Sequence, residues 1–184
     1  MADSKLLVDH LDTPIGRIFL GVTEAGLLRR VGGGDWKDDA SVWASDGVRS
    51  SDPFGCTTTL RAYFAGQLAA IDGLLPDGQG TAFQRRVWQA LRQIPPGATC
   101  SYGELATRVG APNASRAVGA ANRANPVGLV IPCHRVIGGD GTLTGYGGGL
   151  ERKRWLLSHE ARYASEHLTR SRSAASGGLA AWAR

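Results

Sequence analysis

The chain has 184 residues, 42% of them hydrophobic, and a formal net charge of +5. No apolar run approaches the ~18 residues of a membrane span, and the opening MADSKLLVDHLDTP lacks the apolar core of a secretory signal. Three widely spaced cysteines (Cys56, Cys100, Cys133) and four scattered histidines (His10, His134, His159, His167) argue against a disulfide framework or a zinc finger, so a reduced, cytoplasmic protein without a structural metal is expected.

KLLVDHLDTPIGRIFLGVTEAGLLRRVGG reads as short strands broken at Thr13-Pro14 and Ala25-Gly26. The polar, Gly/Ser/Asp-rich GGGDWKDDASVWASDGVRSSD reads as a loop. In TTLRAYFAGQL, Leu60, Phe64 and Leu68 fall four apart with Tyr63 beside them, a helix face. LPDGQG at 75–80 has the composition of a linker and divides residues 1–80 from a second part, 81–160.

That part opens with a helix in TAFQRRVWQALRQIPPG. Thr81 and Gln84 form a capping box, Phe83, Val87, Trp88 and Leu91 share a face, and Pro95-Pro96 end it. Ser101 and Glu104 form a second capping box before YGELATRVG, a short helix closed by Gly110. SRAVGAANRAN follows as a third helix, ended by Asn125-Pro126, and the pair resembles a helix-turn-helix. VGLVIP reads as a strand, GGDG as a turn and LERKRWLLSHE as a last helix. Residues 161–184 read as a low-complexity, mobile tail.

Charge separates the parts. Residues 1–80 carry 7 basic and 11 acidic side chains, residues 81–160 carry 10 and 4, and the last 24 carry 4 and 1. A basic second part beside an acidic first part suits a polyanionic partner. The third helix has long side chains only at Arg116 and Arg123, too few to read bases, so binding with little sequence preference is expected.

Cys133 stands apart from Cys56 and Cys100, which have the setting of buried fillers. It follows Pro132 at the end of the expected strand and precedes His134 and Arg135, basic neighbours that favour a thiolate.

IPCHRVI, with SYGELA and SRAVGAANRANP upstream and GYGGGLERKRWLLSHE downstream, resembles the O6-alkylguanine-DNA alkyltransferases, also called methylated-DNA–protein-cysteine methyltransferases. The likeness is strong over about 81–160 and looser through TPIGRIFLG and LRAYFAGQL. It implies an α+β fold: a small N-terminal sheet-and-helix domain (1–80, supporting) and a mostly helical domain (81–160) carrying the helix-turn-helix and the reactive cysteine. The implied reaction is a single, irreversible transfer of the alkyl group from O6-alkylguanine in duplex DNA to Cys133, with O4-alkylthymine open as a second lesion and no cofactor.

The resemblance also implies roles. His134 takes the thiol proton through a water and Glu160 orients it. Tyr102 donates to the base, which is flipped out of the minor-groove face. Arg116 fills the gap in the duplex, and Asn125 braces the turn. Tyr146 lies beside the alkyl group, the Gly147 N–H near O6, and the Cys133 and Val136 carbonyls near the exocyclic amine. Ser101, Ala117, Arg123 and Arg135 complete the contacting set. A monomer is expected, with cooperativity on DNA open. The Cys-His-Glu arrangement predicts a Cys133 pKa below the ordinary thiol value, and Glu160 is read as lying at a helix end, against the helix dipole.

The alternatives differ in class. A lesion-binding alkyltransferase-like module has tryptophan in place of the thiol, a helix-turn-helix regulator needs base-reading side chains, and a cysteine hydrolase keeps its histidine far along the chain.

Overall fold

The computed structural model describes residues 5–33 and 47–177, with side chains through residue 165. Four strands, β1 (Leu6–Thr13), β2 (Gly16–Val22), β3 (Leu28–Gly32) and β4 (Gly47–Arg49), form a sheet in the order β3-β2-β1-β4. β1, β2 and β3 pair antiparallel as successive neighbours, and β4 adds to β1 in parallel. Leu11, Ile18, Leu20 and Val22 bury one face of the hairpin by the period-two rule. β4 lies within the stretch read as a loop. Its three residues hold no periodicity and become a strand by pairing with β1; residues 34–46 of that stretch lie outside the described residues.

Helix α1 (Cys56–Phe64) packs on the buried face through Leu60 and Tyr63. The Asp9 carboxylate, on that same face of β1, ties the two together by accepting from the Asp52 N–H at 2.9 Å and the Thr57 hydroxyl at 2.5 Å.

The second part contains α2 (Ala82–Arg92), β5 (Cys100–Ser101), α3 (Tyr102–Arg108), α4 (Ser115–Arg123), β6 (Val136–Ile137) and α5 (Leu150–Gly177). Both expected capping boxes form, at Thr81/Gln84 and Ser101/Glu104. α3 and α4 are the helix-turn-helix. The small residues of α4 let it pack close: Val118 and Ala121 are buried, and the Ala121 carbonyl accepts from the Trp88 indole of α2 at 2.9 Å. The α+β architecture read from the sequence is the one observed.

The segment at 75–80 is docked rather than loose. The Leu28 N–H donates to the Leu75 carbonyl and the Asp77 N–H to the Leu28 carbonyl, both at 2.8 Å. Further along the same edge of β3, the Val31 N–H donates to the Pro126 carbonyl and the Gly128 N–H to the Val31 carbonyl. One continuous buried cluster therefore joins Leu20, Val22 and Leu60 to Val87, Leu91, Leu105 and Val118.

Two expectations change. VGLVIP is not a strand: Leu129 sits at φ +69°, and the run folds into tight turns, with Val130 N–H bonded to the Gly128 carbonyl and Cys133 N–H to the Ile131 carbonyl. Its apolarity reflects burial on all sides, which periodicity cannot tell from a strand. The last helix does not stop at Glu160 but runs to Gly177, through most of the expected tail, with Tyr163 and Ala164 packed on the core. Residues 178–184 lie outside the described residues.

Candidate active site

Cys133 opens a single 3-10 turn, Cys133–Arg135, rather than ending a strand. Three residues per turn send successive side chains about 120° apart. The thiol, the imidazole and the guanidinium, adjacent in sequence, thus enter three different surroundings.

The thiol faces a cleft of about 790 Å³ lined by Tyr102, Arg116, Arg123, Tyr146 and Gly147, together with Asn122 and Thr144. Cys133 is 7% exposed at its base. The Tyr102 hydroxyl reaches across to the Gly145 carbonyl at 3.4 Å. Arg116 and Arg123 are exposed on α4 at the rim, whereas Ala117 is exposed on the same helix but does not line the cleft. Gly119 faces the Tyr102 ring across this wall, where a Cβ would lie in ordinary contact at 3.8 Å.

The imidazole points inward and is fully buried. Its Nε2 lies 3.0 Å from Glu160 Oε1, while Nδ1 has no hydrogen-bond partner. A carboxylate only accepts, so Nε2 carries the proton and the lone pair of the neutral ring is on Nδ1. Glu160 therefore sets the tautomer. It sits within α5, not at the helix end where the sequence put it, because the helix continues for four more turns. The helix-dipole argument does not apply to it.

Arg135 takes a place unlike the one expected. It is 5% exposed and does not line the cleft. Its Nε and Nη2 form a bidentate pair with Glu160 at 2.9 and 2.7 Å, and its Nη1 donates to the Ile94 carbonyl at 2.5 Å. Its charge is spent on a protein carboxylate and is not offered to DNA. The Tyr63 hydroxyl (2.8 Å) and the Gly97 N–H (3.3 Å) complete the shell around Glu160. Tyr63 comes from α1, so the N-terminal part supplies one of the groups that hold the Glu160 carboxylate.

Asn125 is buried and braces the turn, donating to the Ile131 carbonyl at 2.8 Å and accepting from the Val127 N–H at 3.0 Å. Ser101 is engaged in capping α3 and stands outside the cleft. Val136 is buried, and its carbonyl accepts from Lys153 Nζ at 2.5 Å.

Lys153 is the largest omission of the sequence reading. It is fully buried on α5 and also donates to the Thr144 carbonyl at 2.6 Å. Its ammonium joins β6 to the loop that walls the cleft. The signal was present: Lys153, Leu156 and Glu160 are spaced i, i+3, i+7, so Lys153 lies on the inward face of the helix. Asn122, donating to the Cys133 carbonyl at 3.3 Å, was missed for want of a comparable signal.

Electrostatics correct a further expectation. Burial pushes the Cys133 thiol above its ordinary pKa, although an Asn125 hydrogen bond and the Lys153 charge oppose it. Burial likewise lowers the His134 pKa despite Glu160. Glu160 is held well below the carboxylate range: burial pushes upward, but hydrogen bonds and charge from His134 and Arg135 outweigh it. Burial outweighs the pull of Glu160, with the Arg135 and Lys153 charges adding to it, so the carboxylate does not hold the imidazole charged. At neutral pH the site rests as a neutral thiol and a neutral imidazole, not as the lowered-pKa thiolate expected.

Residues 82–162 match the family described as 6-O-methylguanine DNA methyltransferase, DNA binding domain. The methylated-DNA–protein-cysteine methyltransferase of Salmonella typhimurium is 46% identical over 164 residues, 85% of this chain and 96% of that protein. The chain belongs to this methyltransferase family. Family members with solved structures agree in fold. The O6-methylguanine methyltransferase of Mycobacterium tuberculosis is 42% identical, with a TM-score of 0.75 over 86% of this chain and 94% of that one. The OGT of the same organism in complex with DNA aligns as well, at 42% identity and a TM-score of 0.75 over 85% and 93%. As a methyltransferase of this family, the protein repairs DNA by alkyl transfer to a cysteine.

Proposed function

We propose that Cys133 Sγ is the alkyl acceptor, and that the donor is O6 of an alkylated guanine rotated out of duplex DNA into the cleft. The observation that carries this is the pairing of a buried thiol at the base of the open cleft with an imidazole whose tautomer is set by Glu160 and whose Nδ1 is unengaged.

Sγ attacks the alkyl carbon, the S–C bond forms and the C–O6 bond breaks. The thiol proton leaves to His134 Nδ1 through a water as sulfur commits to the carbon. Negative charge developing on the base is met by the Tyr102 hydroxyl and the Gly147 N–H, and the proton passes on to the released guanine. A buried neutral pair suits this chemistry, since no standing charge must be desolvated before the base enters. The product is a thioether, which water does not cleave, so each chain acts once.

DNA is the partner, consistent with the matched DNA-binding domain and the relative's DNA complex. We place α4 in the minor groove, where its small residues allow close approach and Arg116 fills the space the base vacates. Arg123 at the same rim meets phosphate. The protein binds as a monomer. Among the described residues no helix is long and apolar enough to cross a membrane, in keeping with the cytoplasmic setting we propose.

Reaction with a duplex containing one O6-methylguanine, followed by intact-mass and peptide analysis, tests the reading. One methyl group on Cys133 is expected; an unmodified chain after the lesion has been bound overturns it and leaves a lesion-binding module.

A further inference from the structure

We propose that Arg152 is a positioning residue for alkyl transfer: through its guanidinium the N-terminal sheet holds the Tyr146 wall of the cleft in place and so sets the size of alkyl group accepted. The inference rests on the alkyl-transfer reading above.

Arg152 lies on α5 beside Lys153, but its side chain runs the other way. Its Nε donates to the Ile15 carbonyl in the β1–β2 turn at 2.7 Å, and its Nη1 donates to the Gly33 carbonyl just after β3 at 3.0 Å. One planar fork thus joins two separate backbone points of the N-terminal sheet, a geometry suited to guanidinium rather than ammonium. The approach at Gly33 is close: a Cβ there would fall 2.1 Å from the Arg17 carbonyl oxygen, so no other residue places a carbonyl at this spot.

The Arg152 stem meets the cleft loop at Gly148. A Cβ on Gly148 would lie 3.0 Å from Tyr146 Cε1 and 3.3 Å from Arg152 Cδ, so the ring and the stem flank the same glycine. Between the loop and the sheet is a cavity of about 30 Å³ bordered by Ile18, Val31, Leu129, Tyr146 and Arg152. Tyr146 borders both this cavity and the cleft. The ring is therefore a partition with space on each side. What keeps it from moving back is the closure of the rear cavity, and Arg152 is the side chain that ties that closure to the sheet.

Removing the fork frees the ring to retreat, which widens the cleft beside the alkyl group. The test compares wild type with Arg152→Ala, Arg152→Met (stem kept, fork lost) and Arg152→Lys. First-order transfer rates are measured for O6-methylguanine and O6-benzylguanine in the same duplex, with duplex affinity and melting temperature alongside. The benzyl-to-methyl rate ratio should rise about fivefold or more in Ala and Met, as a sub-ångström shift of a positioning wall produces, and Lys should fall between them and wild type. Duplex affinity should not change. Amide exchange in the unliganded protein should quicken over residues 144–149. An unchanged ratio in both Ala and Met overturns the proposal whatever happens to the melting temperature, since loss of stability alone slows both substrates alike. The wild-type control keeps the two readings apart. Should it fail to accept methyl at all, the alkyl-transfer reading falls, and unaltered exchange at 144–149 in the variants then rejects the clamp by itself.

Discussion

Glu160→Gln should slow alkyl transfer through the histidine tautomer rather than through the thiol pKa. Five donors converge on the Glu160 carboxylate: Tyr63 Oη, His134 Nε2 and Arg135 Nη2 on Oε1, and Arg135 Nε and Gly97 N on Oε2. An amide can accept at only one of these two positions. Its NH2 settles at the Oε1 position, where a tyrosine hydroxyl and an imidazole nitrogen can both turn to accept. Accepting at Nε2 moves the ring proton to Nδ1, which then cannot take the thiol proton. Loss of a positioned general base costs roughly 10²–10⁴ in rate. Arg135 is meanwhile left buried without its counter-charge, at about 3–5 kcal/mol, and at about 2–4 °C per kcal/mol for a chain of this size the melting temperature drops by roughly 6–20 °C. Single-turnover kinetics on the O6-methylguanine duplex, measured well below the variant's melting temperature, separate the two effects. Adding Arg135→Met removes the orphaned charge and should restore much of the stability but none of the rate. The stability gap also has a pH signature. The folded Glu160 pKa is depressed, so its stabilisation is complete above the unfolded value and drains as pH falls towards the folded one. The gap between wild type and variant should hold at neutral pH and narrow below about pH 4.3. Wild-type transfer rates in folded Glu160→Gln, or a gap that does not narrow in acid, would refute this reasoning.

Cys133→Ser should abolish transfer while Cys56→Ala and Cys100→Ala keep it, read by peptide mapping after reaction; full-rate transfer in Cys133→Ser would sink the assignment. Arg116→Ala should slow repair in duplex DNA while leaving duplex affinity and reaction with free O6-benzylguanine nearly intact, and equal losses on both substrates would reject a role in filling the duplex. Affinities for unrelated undamaged duplexes should agree within roughly 1–3 kcal/mol and fall steeply with salt, because α4 offers few base readers; one strongly preferred sequence would revive a regulator. Lys153→Met should keep the fold but slow transfer by about tenfold or more, since the Val136 and Thr144 carbonyls lose their shared donor; an unchanged rate would show the bridge to be idle.

The first three strands, the helices that follow them, both capping boxes and the helix-turn-helix were legible because each depends on residues within a few positions of one another. So was the candidate thiol that we propose as the acceptor, Cys133, through the PCHRV string and its neighbours. Chain segments whose structure depends on distant partners were not. β4 exists by pairing with β1, and VGLVIP turns instead of extending because the Asn125 side chain serves its backbone groups. The same divide runs through the site. Adjacency in sequence placed Cys133, His134 and Arg135 together, yet the 3-10 turn sends Arg135 to Glu160 and away from DNA. Burial, which no single residue encodes, leaves the thiol and imidazole neutral where their sequence alone argued for an ion pair. Desolvation is a property of everything packed around a group, and only the folded chain, with Tyr63 brought from one part and Lys153 and Glu160 from the far end of the other, decides it.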